Sequence, residues 1–287
     1  MEFRSIRDAS ELTTLANLAA PLQHRPETHV VYLGTEPDGI AAELTETTWS
    51  DVSAVAVDGD TVVGWLIGDV DADMGRVWWL GPFVAVDGWE SLATELLSTA
   101  RRRLASGVDE EEMSVDARFE RFRTWATEHG FVEEEGSYVL QLEGGLEPGN
   151  AVIREIEAAD RDAVARLHDE LFPGTHTSGA DLVAGHDERH RRLVADIDGD
   201  VVGYIAVERQ ADGSGYIDFL GVTPAARRRG LGGDLVRAGV AELRRLDVAS
   251  VGLTVRVGSA GARELYRSLG FEEERVAIPL RRGFGLA

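Results

Sequence analysis

Residues 216–246 read YIDFLGVTPAARRRGLGGDLVRAGVAELRRL, and the fold turns on how that stretch is parsed. Tyr216 to Val222 is apolar and β-prone, and Pro224 has no N–H with which to continue a ladder. From Leu231 the apolar positions recur at helical spacing, through Leu235, Gly239, Leu243 and Leu246. The stretch therefore predicts strand, tight loop, helix. The loop, Arg227-Arg228-Arg229-Gly230-Leu231-Gly232-Gly233, places three arginines where a helix N-terminus exposes unpaired N–H groups and partial positive charge. Each cation there is disfavoured by roughly 0.3–1 kcal/mol unless something negative lies among them, so an anion is expected. Gly230, Gly232 and Gly233 let the backbone approach that anion and adopt conformations that a Cβ forbids, as in phosphate-cradling loops.

A second triple arginine, Arg101-Arg102-Arg103, is the internal control. It ends a predicted helix that begins near Glu90, where cations complement the helix dipole and need no ligand.

The pattern Val222-x-Pro224-x-x-Arg227-x-x-Gly230-x-Gly232 resembles the pyrophosphate-binding motif of the GNAT superfamily of acyl-CoA-dependent N-acyltransferases. A second segment follows in order: Leu253-Thr-Val255-Arg256-Val-Gly-Ser259-Ala-Gly-Ala262-Arg-Glu-Leu265-Tyr266-Arg-Ser-Leu269-Gly270-Phe271. It is similar to the family's strand-then-helix element ending L-Y-x-x-x-G-F. The family usually carries Asn where Ser259 stands; Ser can still cap the helix, with one donor fewer. The resemblance implies a mixed α/β sheet with helices on both faces. It also implies acetyl-CoA as cosubstrate, held by Val222, Arg227 to Gly233 and Ser259, and direct attack of an amine on the thioester.

Composition bounds the rest. The chain has 287 residues, 44% hydrophobic, enough for two domains with cores of ordinary size. With no cysteine, disulfides, thiol catalysis and thiolate metal sites are excluded. No apolar run is long enough for a membrane span and MEFRSIRDASEL has no hydrophobic signal core, so a soluble, cytoplasmic protein is expected. All 29 basic residues are arginine, and the net charge of −22 suits a surface kept soluble in concentrated salt and disfavours nucleic acid. The charge divides unevenly. Residues 1–145 hold 10 arginines and 28 acids, residues 146–287 hold 19 and 23, so the anion-binding half is the less acidic one.

The order of elements repeats. Val152-Ile-Arg154-Glu-Ile156 echoes Phe3-Arg4-Ser-Ile6, and Asp198-Gly199-Asp200-Val-Val-Gly203-Tyr204 echoes Asp58-Gly59-Asp60-Thr-Val-Val-Gly64-Trp65. Leu231-Gly-Gly-Asp-Leu235 falls over Leu92-Ala-Thr-Glu-Leu96, and Leu269-Gly270-Phe271 over His129-Gly130-Phe131. Two copies of one fold are expected, 1–145 and 146–287, joined by the Gly/Pro-containing stretch Gly144 to Asn150. Against Arg227, Gly230 and Gly232 the first copy offers Gly88, Ser91 and Ala93 with Glu90 among them, and against Tyr266 it offers Ala126. The first copy therefore reads as degenerate and non-catalytic, with a structural, regulatory or substrate-shaping part.

Two residues of the second copy stand out for chemistry. Tyr266 lies on the helical stripe Ala262, Leu265, Tyr266, Leu269; it is either a core tyrosine or, as the resemblance implies, the proton donor to the departing thiolate. Asp218 is the expected base, on a strand face shared by Tyr216, Leu220 and Val222, with Gly221 a plausible bulge. An Asp near about 3.9 is about six units too weak for an alkylammonium near about 10.4, which calls for a water relay, a raised pKa or a positioning role. His186 and His190 are spaced for one helix face but lack a third ligand, so no metal is expected. Asp109 to Glu112 and Glu133 to Glu135 read as solvated loop charges, and Trp78 and Trp79 as packing residues. The acceptor is expected to be a small-molecule or peptide amine, its identity and the oligomeric state being illegible. The competing readings are transfer of a longer acyl group, or a non-catalytic acyl-CoA-binding or regulatory protein.

Overall fold

The computed structural model describes residues 1–173, 175 and 177–283. In chain order the first elements are β1 (Glu2–Arg4), α1 (Ser10–Gln23), α2 (Pro37–Thr45), β2 (Ser53–Asp58), β3 (Thr61–Asp71), β4 (Arg76–Val84), α3 (Trp89–Arg101), β5 (Glu110–Asp116), α4 (Glu120–Glu128) and β6 (Val132–Glu133). Then come β7 (Ser137–Glu143), β8 (Ile153–Glu155), α5 (Arg161–Leu171), α6 (Gly179–Ala184), β9 (His190–Ile197), β10 (Asp200–Arg209), β11 (Gly215–Val222), α7 (Leu231–Arg245), β12 (Ser250–Arg256), α8 (Ala260–Ser268) and β13 (Glu272–Gly283). The quoted stretch is thus strand, a single 3-10 turn at Pro224–Ala226, and helix, as its residues dictate. No helix among the described residues is long and apolar enough to cross a membrane.

Two compact units form, but not on either side of Gly145. One is Met1–Ser137 together with the chain from Arg275 on; the other is Tyr138–Glu274. The division after Gly145 follows a real Gly/Pro stretch, yet the strand before it belongs to the second unit and the last strand of the chain to the first. In the first unit the strand order is β1-β2-β3-β4-β5 and then the part of β13 from Arg275, antiparallel to β5 from Ala277↔Asp116 to Gly283↔Glu110. In the second unit it is β8-β9-β10-β11-β12-β7. Each sheet is antiparallel up to one parallel pair, β4 with β5 and β11 with β12.

Helices cover both faces of the second unit's sheet. Leu231, Leu235, Val236, Val240 and Leu243 of α7 pack on Ile205, Val207, Ile217, Val251 and Leu253. On the opposite face Val164 and Leu167 of α5, with Leu182 and Val183 of α6, pack on Val194, Tyr204, Ala206 and Phe219. Side chains alternate along a strand, so Ile205 and Tyr204 serve different faces. The copies share one contact. A Cβ on Gly64 would meet Leu96 Cδ1 at 3.4 Å, and one on Gly203 would meet Leu235 Cδ1 at 3.1 Å, which bears out the pairing of Leu96 with Leu235.

The run Asp109 to Glu112 is not a solvated loop. Glu110 begins β5, and Glu111 and Glu112 are buried, at 0% and 4% exposure. Arginines from distant parts of the unit make that possible: Arg101 and Arg282 pair with Glu111, and Arg76 and Arg281 with Glu112. Trp79, fully buried, donates its indole N–H to Glu111 at 2.8 Å. Buried carboxylates are tolerated when paired and hydrogen-bonded in this way. Glu133 and Glu134 do lie at the surface, against Arg123 and Arg281.

Candidate functional site

The parallel ladder between β11 and β12 is short. Gly215, Tyr216 and Ile217 pair with Val251, Gly252 and Leu253, and there it stops, although β11 runs on to Val222 and β12 to Arg256. Among the described residues none pairs with the facing edge of Thr254–Arg256, so the two strands bound an open wedge. A strand edge leaves N–H and C=O groups that require partners.

A bulge opens the wedge. Against β10, Ala206 pairs with Phe219 and Val207 with Ile217, leaving Asp218 as the extra residue. Ile217, Leu220 and Val222 pack on the α7 side and Phe219 on the α5 side. Tyr216, Asp218, Leu220 and Val222 therefore do not share a face, and the bulge sits at Asp218 and not at Gly221. Gly221 has another reason: a Cβ there would lie 2.5 Å from the Tyr204 ring. Burial, and next the carboxylate of Glu208, push the Asp218 carboxyl up to about 7, while Arg192 and His190 pull it down. Of the three options the sequence leaves for a weak Asp base, this is the raised pKa.

Tyr266 is buried on α8 at 6% exposure, its ring edge-on to Phe271 at 5.5 Å. Its phenol is raised by burial, with a contribution from Tyr216. Among the described residues no protein group hydrogen-bonds its hydroxyl, which sets it apart from buried tyrosines that serve only packing. Tyr204, for comparison, is bonded to His168 Nδ1 at 2.7 Å, and His168 Nε2 lies 2.9 Å from the Thr177 carbonyl. Tyr216 meets the Thr254 hydroxyl at 3.0 Å, and burial raises it to about 12.

The loop follows directly from the end of β11. Arg227 folds back and donates from Nε to the Val222 carbonyl at 3.0 Å. Arg228 sits at φ +64 and Gly230, the N-cap of α7, at φ +85. Holding a non-glycine residue in that region costs about 1–2 kcal/mol, and such positions concentrate at ligand loops. Arg227, Arg228, Arg229 and Gly230 are exposed, Leu231 is buried, and no carboxylate pairs with the three guanidiniums among the described residues. Gly232 and Gly233 back onto Leu265 of α8; a Cβ on Gly232 would meet it at 3.3 Å. The acid of this turn, Asp234, faces away and accepts the Ala151 N–H at 3.0 Å. Ser259 is the N-cap residue of α8, but its hydroxyl makes no capping hydrogen bond. The control behaves as its position requires: Arg101 pairs with Glu111, Arg102 bonds Ser98 and Thr99, and Arg103 bonds the Asp51 carbonyl.

The first unit has the same geometry with different contents. There β4 and β5 pair in parallel only from Arg76↔Glu110 to Trp78↔Glu112 before diverging. The chain's own residues 29–31 lie against the freed edge: Val31 donates to Ser114 at 2.8 Å and Asp116 to His29 at 3.1 Å, about a Val30↔Val115 bridge. Gln23, itself buried, clamps this segment through the Val30 N–H and the Val30 and Leu33 carbonyls. By the Leu96/Leu235 pairing, the first turn of α3, from Trp89, occupies the register of Arg228 to Gly230. Trp89 is buried among Phe119, Phe122 and Trp125, and Ala126 stands where the second unit has Tyr266.

The remaining candidates resolve simply. His186 and His190 lie outside any helix and face different carboxylates, His186 meeting Glu155 at 2.9 Å and His190 meeting Asp187 at 2.9 Å. No group of described residues is arranged to hold a metal ion. Sequence reasoning missed the bulge, the segment at 29–31 and Glu208, all of which depend on strand register.

Residues 161–271 match the model of the acetyltransferase (GNAT) family. No curated protein matches the chain. Among solved structures, a GCN5-related N-acetyltransferase from Sphaerobacter thermophilus is 19% identical, with TM-score 0.76 over 98% of this chain and 95% of that one. A tandem GNAT protein from the clavulanic acid biosynthesis pathway is 16% identical, with TM-score 0.68 over 100% and 99%. A GCN5-related N-acetyltransferase from Kribbella flavida is 19% identical, with TM-score 0.61 over 85% and 96%. At these identities the likeness carries the fold, and the family model matches residues 161–271 alone. Residues 161–271 thus match the acetyltransferase (GNAT) family, in a chain whose fold is similar along its length to that of the tandem GNAT protein.

Proposed function

We propose that the second unit transfers an acetyl group from acetyl-CoA to a primary amine by direct attack, and that the first unit is non-catalytic. The observation that carries this reading is the open wedge beside β11 together with the loop after that strand, whose three arginines no carboxylate among the described residues neutralises. A ligand with an extended neck and a polyanionic end suits both features. The N–H groups at the start of α7 and the Arg227 to Arg229 guanidiniums would take its phosphates, with Gly230, Leu231, Gly232 and Gly233 allowing close approach. Val222 and Ser259 would line its path. Acetyl-CoA, when bound, supplies an activated thioester.

The protein's own groups then divide the proton work. The Asp218 carboxylate accepts a proton from the ammonium or from an intervening water, and burial, which pushes it up from the ordinary Asp range, makes it a better acceptor than an exposed Asp. The Tyr266 hydroxyl, neutral at pH 7 and without a partner among the described residues, donates to the departing sulfur. A backbone N–H of the β11 edge near Leu220 to Val222 faces the developing oxyanion. The first unit's wedge is filled by residues 29–31, and its helix start carries Trp89 and Glu90 in place of the loop, which supports a non-binding role.

Titration calorimetry of the full chain with acetyl-CoA in high salt tests the reading, one equivalent being expected. No binding refutes the loop assignment, and two equivalents refute the non-binding first unit. The full chain is required, because a 1–145 fragment lacks the strand that pairs with β5.

A further inference from the structure

Val251, Leu253 and Val255 of β12 all pack on the α7 side of the second unit's sheet. Alternation then turns Gly252, Thr254 and Arg256 to the opposite face. Tyr216, next to Ile217 of the α7 layer, turns the same way, and its hydroxyl meets the Thr254 hydroxyl at 3.0 Å. On that face α5 and α6 cover Val194, Tyr204, Ala206 and Phe219 of β9 to β11, and among the described residues none of β12 belongs to the core they make. Thr254 and Arg256 are accordingly exposed, on the lip of the open wedge. No carboxylate, carbonyl or ring among the described residues holds the Arg256 guanidinium. The first unit has an acid at this position. Gly68 and Val207 stand equally far along from Gly64 and Gly203, and they pair with Trp79 and Ile217. Trp78 therefore matches Tyr216, their partners Glu112 and Gly252 match, and Ser114 and Asp116 fall on Thr254 and Arg256. Ser114 and Asp116 are buried, their backbones bonded to residues 29–31, and the Asp116 carboxylate is taken by Arg118 at 2.7 Å. The copy without that filling segment carries the opposite charge at the same place.

We propose that Arg256 holds a carboxylate of the acceptor, so that the amine acetylated by the second unit is carried on an amino acid or a similar aminocarboxylate; this rests on the acetyl-CoA reading above. The guanidinium fork matches a planar carboxylate with two parallel N–H···O bonds, and the Thr254 hydroxyl, two residues back on the same face, can donate another. The orientation of Arg256 assigns it to the acceptor and not to the cosubstrate. The arginine loop leads into α7, whose Leu231 and Leu235 lie on the other face of the sheet, and Arg256 is turned away from that face. The strand register bounds the size of the acceptor. Arg256 stands three residues beyond the last rung, Ile217↔Leu253, and Asp218 one residue beyond it, an offset of about 7 Å along the strands. An arginine side chain and a short aminocarboxylate together span that distance, so amine and carboxylate need be only a few bonds apart.

Acetyl transfer by the full chain can be followed as thiol release from acetyl-CoA, free of background because the protein has no cysteine. The probes are the common L-amino acids, β-alanine and 4-aminobutanoate, each beside its carboxamide. At least one carboxylate should be a better acceptor than its carboxamide. Arg256→Gln should cut kcat/KM for that carboxylate by about 10–100-fold while leaving the carboxamide, the acetyl-CoA Kd and the melting temperature unchanged, and Arg256→Lys should restore part of the loss. Equal use of carboxylate and carboxamide by wild type, an equal loss for both in Arg256→Gln, or no turnover of any carboxylate by protein that binds acetyl-CoA overturns this inference and leaves the acetyl-CoA reading standing. A weaker acetyl-CoA Kd in Arg256→Gln overturns it too, because Arg256 then belongs to the cosubstrate site. If calorimetry finds no acetyl-CoA binding to wild type, the underlying reading fails and takes this inference with it.

Discussion

Gly230→Ala isolates the conformational demand of the arginine loop. Gly230 sits at φ +85, and a Cβ built there meets nothing within 4 Å, so the substitution adds no clash and only the backbone penalty remains. That penalty is about 1–2 kcal/mol for an alanine held in the left-handed region. The loop is exposed and can relax in the free protein, so the penalty falls on binding: acetyl-CoA must restore the conformation, and its Kd should rise by about 5–30-fold at about 1.4 kcal/mol per tenfold. Gly199, at φ +90 in the turn between β9 and β10, also with nothing within 4 Å of a Cβ, is the matched control. It is locked in a hairpin, so Gly199→Ala should lower stability by a similar about 1–2 kcal/mol and leave Kd where it was. Calorimetric titration with acetyl-CoA at fixed salt, with thermal melts of each variant, reads both quantities. Gly230→Ala binding within about twofold of wild type, or Gly199→Ala weakening it equally, would refute the claim that the loop's left-handed N-cap is there for the ligand.

Tyr266→Phe removes a hydroxyl that has no partner among the described residues, so thermal stability should hold within about 1 kcal/mol while acetyl transfer falls by about 100-fold or more, acetyl-CoA affinity being kept. A large stability loss with unchanged turnover per folded molecule would make Tyr266 a core residue. Ending the chain after Glu274 strips β5 of its partner strand and leaves Glu111 and Glu112 without Arg282 and Arg281; about 3–5 kcal/mol of the first unit's stability should go. Urea denaturation by tryptophan fluorescence measures it cleanly, since all six tryptophans lie between Trp49 and Trp125, and an unmoved midpoint would count against the pairing. Burial, and next Arg275, lower His29 to about 4 from an ordinary 6.5. Between those values the unfolded chain binds the extra proton, so His29 should cost stability as pH falls from about 6.5 to about 4, and His29→Gln should flatten that part of the stability profile.

Local chemistry was legible and register was not. The loop 223–233 could be read because every signal is in the stretch itself: a proline that ends the strand, arginines at the wrong end of a helix, and glycines beside them. Tyr266 could be placed on a stripe, but whether its hydroxyl finds a partner depends on what packs against α8. Glu110 to Glu112 were misread for the same reason in reverse. A charge run is solvated unless cations reach it, and Arg101, Arg281 and Arg282 reach it from other elements, two of them from the far end of the chain. The bulge at Asp218 has no residue signature of its own; it exists because Phe219 and Ile217 each have to meet a different helix layer. Gly144 to Asn150 looks like a boundary because its composition is one, while the exchange of strands on either side is decided by pairing alone.

The two units make the functional argument by difference. A parallel pair that diverges after three residues leaves edge groups that must be satisfied, and the same divergence occurs in β4/β5 and in β11/β12. In the first unit the chain supplies the partner itself: His29 and Val31 bond β5, and buried Gln23 fixes them there with three hydrogen bonds. Losing that clamp would leave several buried polar groups unsatisfied at about 1–3 kcal/mol each, so the segment is a structural part and not a lid. In the second unit no described residue takes the corresponding place, and the groups around it differ in the matching way. A tyrosine whose hydroxyl has no partner among the described residues replaces Ala126, a raised carboxyl stands on the bulge, and arginines with no carboxylate partner among the described residues replace the buried Trp89. Each of these is unfavourable in a protein that binds nothing. The first unit shows that the chain itself can fill such a wedge, and among the described residues the second leaves its own unfilled, which is the difference the proposed binding site rests on.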